Sequence, residues 1–188
     1  LYLCDKNLET ISDYYSNARH KLLAEVCYAA KYEGDLIKTH HIKHEQTNKD
    51  SPSQLCTVLA RSFADIGDII RGKDLFIGYN EKDKEEKKQL QENLKNIFAK
   101  IHSEVTKTNG EAAKDYYQDR TGNYYLLRED WWALNRDQVW KAITCNAPED
   151  AKYKVIKPDG STTESVRGQC RGVTDVPTYF DYVPQFLR

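Results

Sequence analysis

All three tryptophans of the chain, Trp131, Trp132 and Trp140, lie within ten consecutive residues. Tryptophan has a very large apolar side chain, and its indole N–H needs a hydrogen-bond partner when it is buried. Three such side chains so close together can form the centre of a helical core, or they can present an exposed aromatic surface for binding. Because large aromatic side chains are mostly buried, we expect the core, and we assign Phe63 to it as well.

Residues 123–145, which contain the tryptophans, show an interruption near their middle. Asn135 has the side chain of a helix N-cap, and Gln138 lies where it would complete a capping box. Leu134 and Val139 have the spacing of a hydrophobic staple. We therefore predict two helices here, separated at Asn135, with the second ending near residue 145.

Apolar residues recur every three or four positions in three further stretches, 8–31, 51–71 and 83–106. This spacing predicts amphipathic helices. Gly34 and Gly72 are the expected stops of the first two.

The remaining stretches predict shorter elements. An Asn-Gly pair at 109–110 predicts a turn before a short helix at 111–119. Two segments with strand-forming residues, 153–156 and 162–166, lie on either side of a Pro-Asp-Gly turn and predict a β-hairpin near 153–166. Residues 175–188 end in what looks like the first turns of another helix. The fold class is therefore mainly α.

The composition narrows the class of protein. With 188 residues, a net charge of −1 and 13 tyrosines, the chain is expected to be one folded domain or a compact fragment of one. A charge this close to zero gives no general attraction to nucleic acid, and no apolar run approaches membrane-spanning length. Methionine is absent and the chain ends inside an apolar stretch, so we expect a piece of a longer protein.

The five cysteines have no zinc or redox spacing and predict an extracellular disulfide framework with one partner missing. Cys4 and Cys27 flank most of the first predicted helix, and a straight helix would hold them roughly 34 Å apart, beyond disulfide reach. Cys4 would then pair outside this chain, unless the helix is broken. Cys145 could pair with Cys170 or with Cys56, and the sequence leaves that choice open.

Two groups of polar residues invite a catalytic or metal-binding interpretation. His40, His41 and His44 lie in residues 35–50, which lack periodicity and are predicted to be a polar loop. A metal site would also need an acidic or cysteine ligand nearby, so we expect an exposed loop without metal. Asp65 and Asp68 could be paired carboxylates, but salt bridges or a polar helix edge are the expected role.

Cationic side chains form two candidate binding patches. Lys84, Lys88 and Lys95 project within roughly forty degrees of one another on the predicted charged helix, at about 100° per residue. They are either a solvated helix face or a row that binds sulfated or phosphorylated polyanions. Arg167 and Arg171, after the hairpin, are the second candidate patch.

Four blocks of sequence resemble one family. They are LYLCDKNLE at 1–9, LARSFADIGDIIRGKDL at 59–75, LREDWWALNRDQVWKAITC at 127–145 and DVPTYFDYVPQFLR at 175–188. They are similar to the signature segments of Duffy-binding-like domains, in particular the alpha class of the variant erythrocyte membrane protein 1 of the malaria parasite Plasmodium falciparum. One departure is that many members have more cysteines between the last two blocks, so we expect a less cross-linked hairpin region here.

The resemblance implies a disulfide-bonded helical bundle in three parts. Residues 1–50 would be the end of a loop-rich first subdomain and the first long helix. Residues 51–172 would be the helical second subdomain with the hairpin, and 173–188 the truncated start of a third.

The resemblance also implies an extracellular adhesion module on the infected erythrocyte, within a membrane-anchored parent protein involved in cytoadherence, rosetting, antigenic variation and virulence. The implied partners are a host cell-surface receptor or glycan (heparan sulfate-like or a blood-group sugar), host antibodies and neighbouring domains of the same protein. It implies no enzymatic activity and no cofactor. One alternative is a non-enzymatic structural domain that supports neighbouring receptor-binding domains; another is a helical protein that assembles through its charged helix.

Overall fold

A computed structural model describes residues 17–47, 54–157, 159 and 161–188. Within these ranges there are four α-helices, one two-stranded sheet and two short 3₁₀ helices. They are α1 (Ala18–Thr47), α2 (Leu55–Arg71), α3 (Glu81–Tyr116), α4 (Tyr125–Ile143), β1 (Lys152–Ile156), β2 (Thr162–Gln169) and the 3₁₀ helices Phe180–Tyr182 and Gln185–Leu187. The predicted mainly α, disulfide-bonded fold is confirmed. The predictions for Cys4 and for the helix starts at residues 8 and 51 lie outside the described residues.

The described residues divide into two compact units. The first unit contains 27–47, 54–66 and 136–188, and the second contains 17–26 and 67–135. Each unit has its own aromatic centre.

The first unit is built around a disulfide between Cys56 and Cys170, whose Cα atoms are 5.9 Å apart. The Nε1 of Trp140 donates to the Cys170 carbonyl at 2.9 Å, so this buried indole has its partner. The ring of Phe63 meets Trp140 edge to face at 5.2 Å. Both pairings considered for Cys145 are therefore wrong: Cys145 and Cys27 are free thiols.

Helix α1 does not stop at Gly34. The helix continues to Thr47, and a Cβ at Gly34 would lie 2.0 Å from the Ile143 carbonyl oxygen. Glycine is needed here because two backbones meet, and the residue is not a helix stop. The predicted polar loop over 35–50 is thus wrong for the described part, where Ile37 and His41 continue the buried face of the helix.

Helix α4 is continuous through Asn135, so the predicted break is wrong. The Asn135 side chain donates from Nδ2 to the carbonyl of Trp131 at 2.7 Å, one turn earlier, and does not cap a new helix. Leu134 is 77% exposed and therefore cannot act as a staple.

The second unit packs Trp131 and Trp132 against α2 and α3. The ring of Phe98 meets Trp131 edge to face at 6.2 Å, and a Cβ at Gly67 would lie 2.8 Å from the Trp132 ring. Arg128 is buried beside them and donates to the carbonyls of residues 69 and 70. Desolvation by this burial lowers the pKa of Arg128 to about 10.

Helix α3 begins at an N-cap, with the Asn80 side chain accepting from the Asp83 N–H. The predicted turn at 109–110 appears as a non-helical Gly110 with φ of 69°, after which helical geometry resumes. The predicted hairpin is present, and its two strands are antiparallel. Ile156 pairs with Thr162 next to the turn, and Lys152 pairs with Gln169 at the other end.

Candidate adhesion surfaces

The three candidate lysines lie on helix α3 within the second unit. Lys84 pairs with the exposed Glu81 at 2.6 Å, Lys88 is exposed, and Lys95 is half-buried. Among the described residues no carboxylate forms an ion pair with Lys88 or Lys95. An exposed pair such as Lys84–Glu81 stabilises the fold by less than about 1 kcal/mol, so an anionic ligand can displace Glu81 at little cost.

Of the second candidate patch, the structure describes the side chain of Arg171. Arg171 is half-buried and donates from Nη1 to the Ala147 carbonyl at 2.9 Å. This hydrogen bond joins the segment after β2 to the segment after α4. The side chain of Arg167 lies outside the described part of the chain.

The histidines lie on helix α1 and not in a loop. His40 and His44 are exposed, whereas His41 is buried with its Nδ1 3.5 Å from Glu45. Within the described residues no group of three or more histidine, cysteine or acidic side chains could hold a metal ion.

Each of the two carboxylates of α2 lies close to a different arginine side chain. Asp68 is buried and pairs with Arg71 at 3.0 Å, and Asp65 lies 3.4 Å from Arg188. These contacts give both residues a structural role in salt bridges.

Arg136 fastens the C-terminal segment of the first unit, a role that the sequence did not reveal. Its guanidinium donates to both Asp181 oxygens at 2.8 Å and to the Thr178 carbonyl at 2.8 Å. It also lies 5.3–5.6 Å from three aromatic ring centres, those of Phe63, Tyr179 and Tyr182. Burial lowers the pKa of Arg136, but the hydrogen bonds and charge of Asp181 more than offset this, and the pKa is raised overall.

The connection between α2 and α3 displays large apolar side chains, and the sequence interpretation missed it. We call residues 75–79 the apolar loop. Its exposed fractions are 59% for Leu75, 42% for Phe76, 75% for Ile77 and 76% for Tyr79. The signal in the sequence is the run Leu-Phe-Ile-Gly-Tyr. Four of its five residues are apolar, and they follow neither the spacing of an amphipathic helix nor the alternation of a half-buried strand.

Contacts to the start of α3 hold the apolar loop in place. Phe76 and Tyr79 meet edge to face at 4.9 Å, and the Lys87 ammonium lies 5.0 Å from the Phe76 ring centre. The Tyr79 N–H donates to Asp83 at 3.2 Å. Gly78, with φ of 103°, adopts a backbone conformation that favours glycine.

No helix in the described ranges is long and apolar enough to cross a membrane. The disulfide and the two aromatic centres define a disulfide-linked helical domain. The sequence profile of the Duffy binding domain matches residues 1–188, and the chain belongs to that family.

Several solved structures share both fold and sequence with this chain. The NTS-DBL1-alpha and CIDR-gamma double domain of a PfEMP1 protein from the Plasmodium falciparum varO strain is 43% identical, with a TM-score of 0.76, over 99% of this chain and 25% of that one. The IT4var13 PfEMP1 DBLbeta domain bound to ICAM-1 is 30% identical, with a TM-score of 0.64, over 98% of this chain and 40% of that one.

A second PfEMP1 DBLb domain, bound to human ICAM-1, is 30% identical with a TM-score of 0.61, over 97% of this chain and 36% of that one. The chain therefore spans between a quarter and two-fifths of these relatives. No curated protein matches it significantly.

Proposed function

We propose that this chain is part of an adhesion module of a parasite variant surface antigen, which binds a host cell-surface receptor outside the infected erythrocyte. The observation that carries the proposal is that two relatives of the same fold, each 30% identical over nearly the whole chain, were solved in complex with ICAM-1. The proposal gives the class of ligand, a host cell-surface receptor, and does not name one receptor. Anchoring of the parent protein in a membrane belongs to the same proposal.

The proposed role is binding without catalysis and without a cofactor. Its support is that two of the buried acidic side chains, Asp68 and Asp181, already pair with Arg71 and Arg136 in the fold. A general acid or base needs a carboxyl group that is poised near its operating pH and can reach a substrate, and these two carboxylates hold cations of the scaffold.

A sulfated or otherwise anionic host glycan is the second proposed ligand class, with host antibodies and neighbouring domains as further partners. Lys88 and Lys95 support it, because both lie on the same side of α3 as Lys84 and neither forms an ion pair among the described residues. Arg171 does not contribute, because its guanidinium is engaged by the Ala147 carbonyl. Lys84 contributes after giving up Glu81.

Two binding measurements test the proposal separately. In the first, the 188-residue chain is applied to cells that each display one host receptor, including ICAM-1, and saturable binding to one of them is expected. Absence of saturable binding to every receptor would favour the alternative, a domain that supports neighbouring receptor-binding domains.

In the second measurement, the chain is eluted from immobilised heparin with salt. Changing Lys88 and Lys95 to glutamine should lower the salt needed for elution and reduce the slope of log K against log salt by about one for each lysine. Lys141→Gln is the matched control, because Lys141 is an exposed, ion-paired lysine of another helix. If the control variant and the double variant elute together, the lysine row is not the site.

A further inference from the structure

The kink of helix α3 places an asparagine directly before a glycine in an exposed position. Asn109 is the one asparagine in the sequence that precedes a glycine. Gly110 leaves helical geometry, with φ of 69° and ψ of −151°, and residues 107–112 are all exposed. Because asparagine is a thermolabile residue, this pair is a candidate site of covalent change.

The surroundings of the pair leave its reacting atoms accessible. Among the described residues outside the neighbouring turns of α3, no heavy atom would lie within 4 Å of a Cβ built at Gly110. Glycine has no side chain of its own that would shield its backbone nitrogen. No described residue forms a hydrogen bond with the Asn109 side chain, whereas the side chains of Asn80, Asn135 and Asn146 are all hydrogen-bonded. The Asn109 amide is therefore free to turn toward the nitrogen of Gly110.

Two threonines weaken the helix immediately before the kink. Thr106 donates from Oγ1 to the carbonyl of residue 102 at 2.8 Å, and Thr108 donates from Oγ1 to the carbonyl of residue 104 at 3.0 Å. Such bonds to the preceding turn slightly destabilise a helix and often bend it. A segment that is exposed on all sides also opens at a low free energy. Asn109 can therefore leave helical dihedral angles while the core of the second unit stays folded.

We propose that Asn109 is a site of spontaneous modification in the folded chain, where it is converted to aspartate and isoaspartate through a succinimide. The backbone nitrogen of Gly110 gives its proton to hydroxide and attacks Cγ of Asn109, which closes the succinimide ring. The bond between Cγ and Nδ2 breaks, and the nitrogen leaves as ammonia after taking a proton from water. Water then opens the ring at Cγ, which gives aspartate, or at the backbone carbonyl carbon, which gives isoaspartate.

The conversion needs no other reactant and changes the chain permanently. One water is consumed and one ammonia is released, with no oxidation or reduction. Either product carries a new carboxylate, which lowers the formal net charge of −1 by one. Isoaspartate also lengthens the main chain by one carbon, at a point where the helix is already interrupted. Older copies of the chain therefore differ in charge and backbone from new copies, and this change is independent of the proposed adhesion.

Incubation of the complete folded chain, followed by peptide mapping with mass spectrometry, tests the proposal. Asn109 should be lost faster at pH 9 than at pH 7, because the attacking nitrogen must first lose its proton. Part of the product should be isoaspartate, which an isoaspartyl methyltransferase labels and which direct hydrolysis of the amide does not form. Asn96 is the internal control, because it is exposed on the same helix but precedes Ile97, and it should stay intact.

Two variants separate the nucleophile from the reacting amide. Gly110→Ala should slow the reaction of Asn109 about tenfold, which corresponds to about 1.4 kcal/mol of activation free energy, because a methyl group then shields the nitrogen. Asn109→Gln leaves Gly110 in place and should abolish the product without changing the unfolding midpoint, since glutamine closes its larger ring far more slowly.

Three results would overturn the proposal. The first is an Asn109 that stays intact in the folded chain while it reacts in the urea-unfolded chain. The second is equal loss of Asn109 and Asn96, and the third is a product without isoaspartate.

Discussion

The guanidinium of Arg136 donates to both carboxylate oxygens of Asp181, each at 2.8 Å, and this pair connects α4 with the C-terminal segment. Asp181 is almost completely buried, and the same guanidinium donates to the Thr178 carbonyl. Two parallel hydrogen bonds between arginine and a carboxylate fix direction as well as distance. The segment that follows β2 is thereby attached to the helix that carries Trp140.

Replacing Asp181 with alanine should destabilise the first unit strongly. The change leaves Arg136 among aromatic rings without its counter-charge, and breaking a buried pair by removing one partner costs about 3 kcal/mol or more. Urea unfolding at pH 7 measures the loss. Lys141→Ala, which removes an exposed pair with Asp137, is the control and should cost less than about 1 kcal/mol. Equal losses in the two variants would contradict a special role for Asp181.

Gly34→Ala should destabilise the chain, although alanine is the better helix former. In an open helix the change would stabilise by about 1 kcal/mol, but here the new methyl group would lie 2.0 Å from the Ile143 carbonyl oxygen. The methyl carbon is bonded directly to the backbone of α1 and the oxygen belongs to the backbone of α4, so relief requires the two helices to separate. Thermal unfolding should show a lower midpoint for this variant and little change for His40→Ala, an exposed position on the same helix. A higher midpoint for Gly34→Ala would show that the two backbones do not meet.

The sequence predicted the elements whose apolar residues recur as one regular stripe. Helix α2 was recognised from Leu59, Phe63, Ile66 and Ile70, all of which are buried. The second half of α1 was missed, because its buried face includes Gly34 and Glu33. Glu33 is satisfied by a hydrogen bond from Ser62 at 3.0 Å. Ser62 lies 29 positions from Glu33 in the sequence, so no local pattern predicts this hydrogen bond.

The disulfide, the role of Asn135 and the ion pair of Lys84 could not be predicted from the sequence pattern. The Cys56–Cys170 bond joins residues 114 positions apart, and sequence spacing carries no information about that approach. Asn135 has the side chain of an N-cap, but a donation to the Trp131 carbonyl lets it remain inside a helix. The lysine row was placed correctly on one helix, whereas its ion pair with Glu81 depends on side-chain conformation.

Peptide mapping without reduction should recover Cys56 and Cys170 in one disulfide-linked peptide. After alkylation of the unfolded, unreduced chain, Cys27 and Cys145 should carry the label. In the folded chain at pH 8, Cys27 should react more slowly than a simple thiol, because burial raises its pKa and reduces the thiolate fraction. Raising the pH should accelerate its reaction. A peptide that links Cys145 to Cys56 or to Cys170 would refute the pairing.

Tyr117 should make stability depend on pH in the alkaline range. Burial, followed by a hydrogen bond to Asp130 at 3.0 Å, raises the pKa of Tyr117 to about 12. The folded chain thus holds this proton more tightly than the unfolded chain, whose tyrosines ionise near about pH 10. The stabilisation is complete below that pH and is lost as the pH rises toward 12.

Tyr117→Phe is the variant that isolates this dependence. It cannot ionise and cannot donate to Asp130, so its unfolding free energy should fall less steeply between pH 10 and 12 than that of the wild type. Urea midpoints taken across this range give the comparison, and Tyr116→Phe serves as the control, because Tyr116 is an exposed neighbour. The assignment fails if both variants lose stability in parallel with the wild type, because the proton held by Tyr117 would then contribute nothing to the difference.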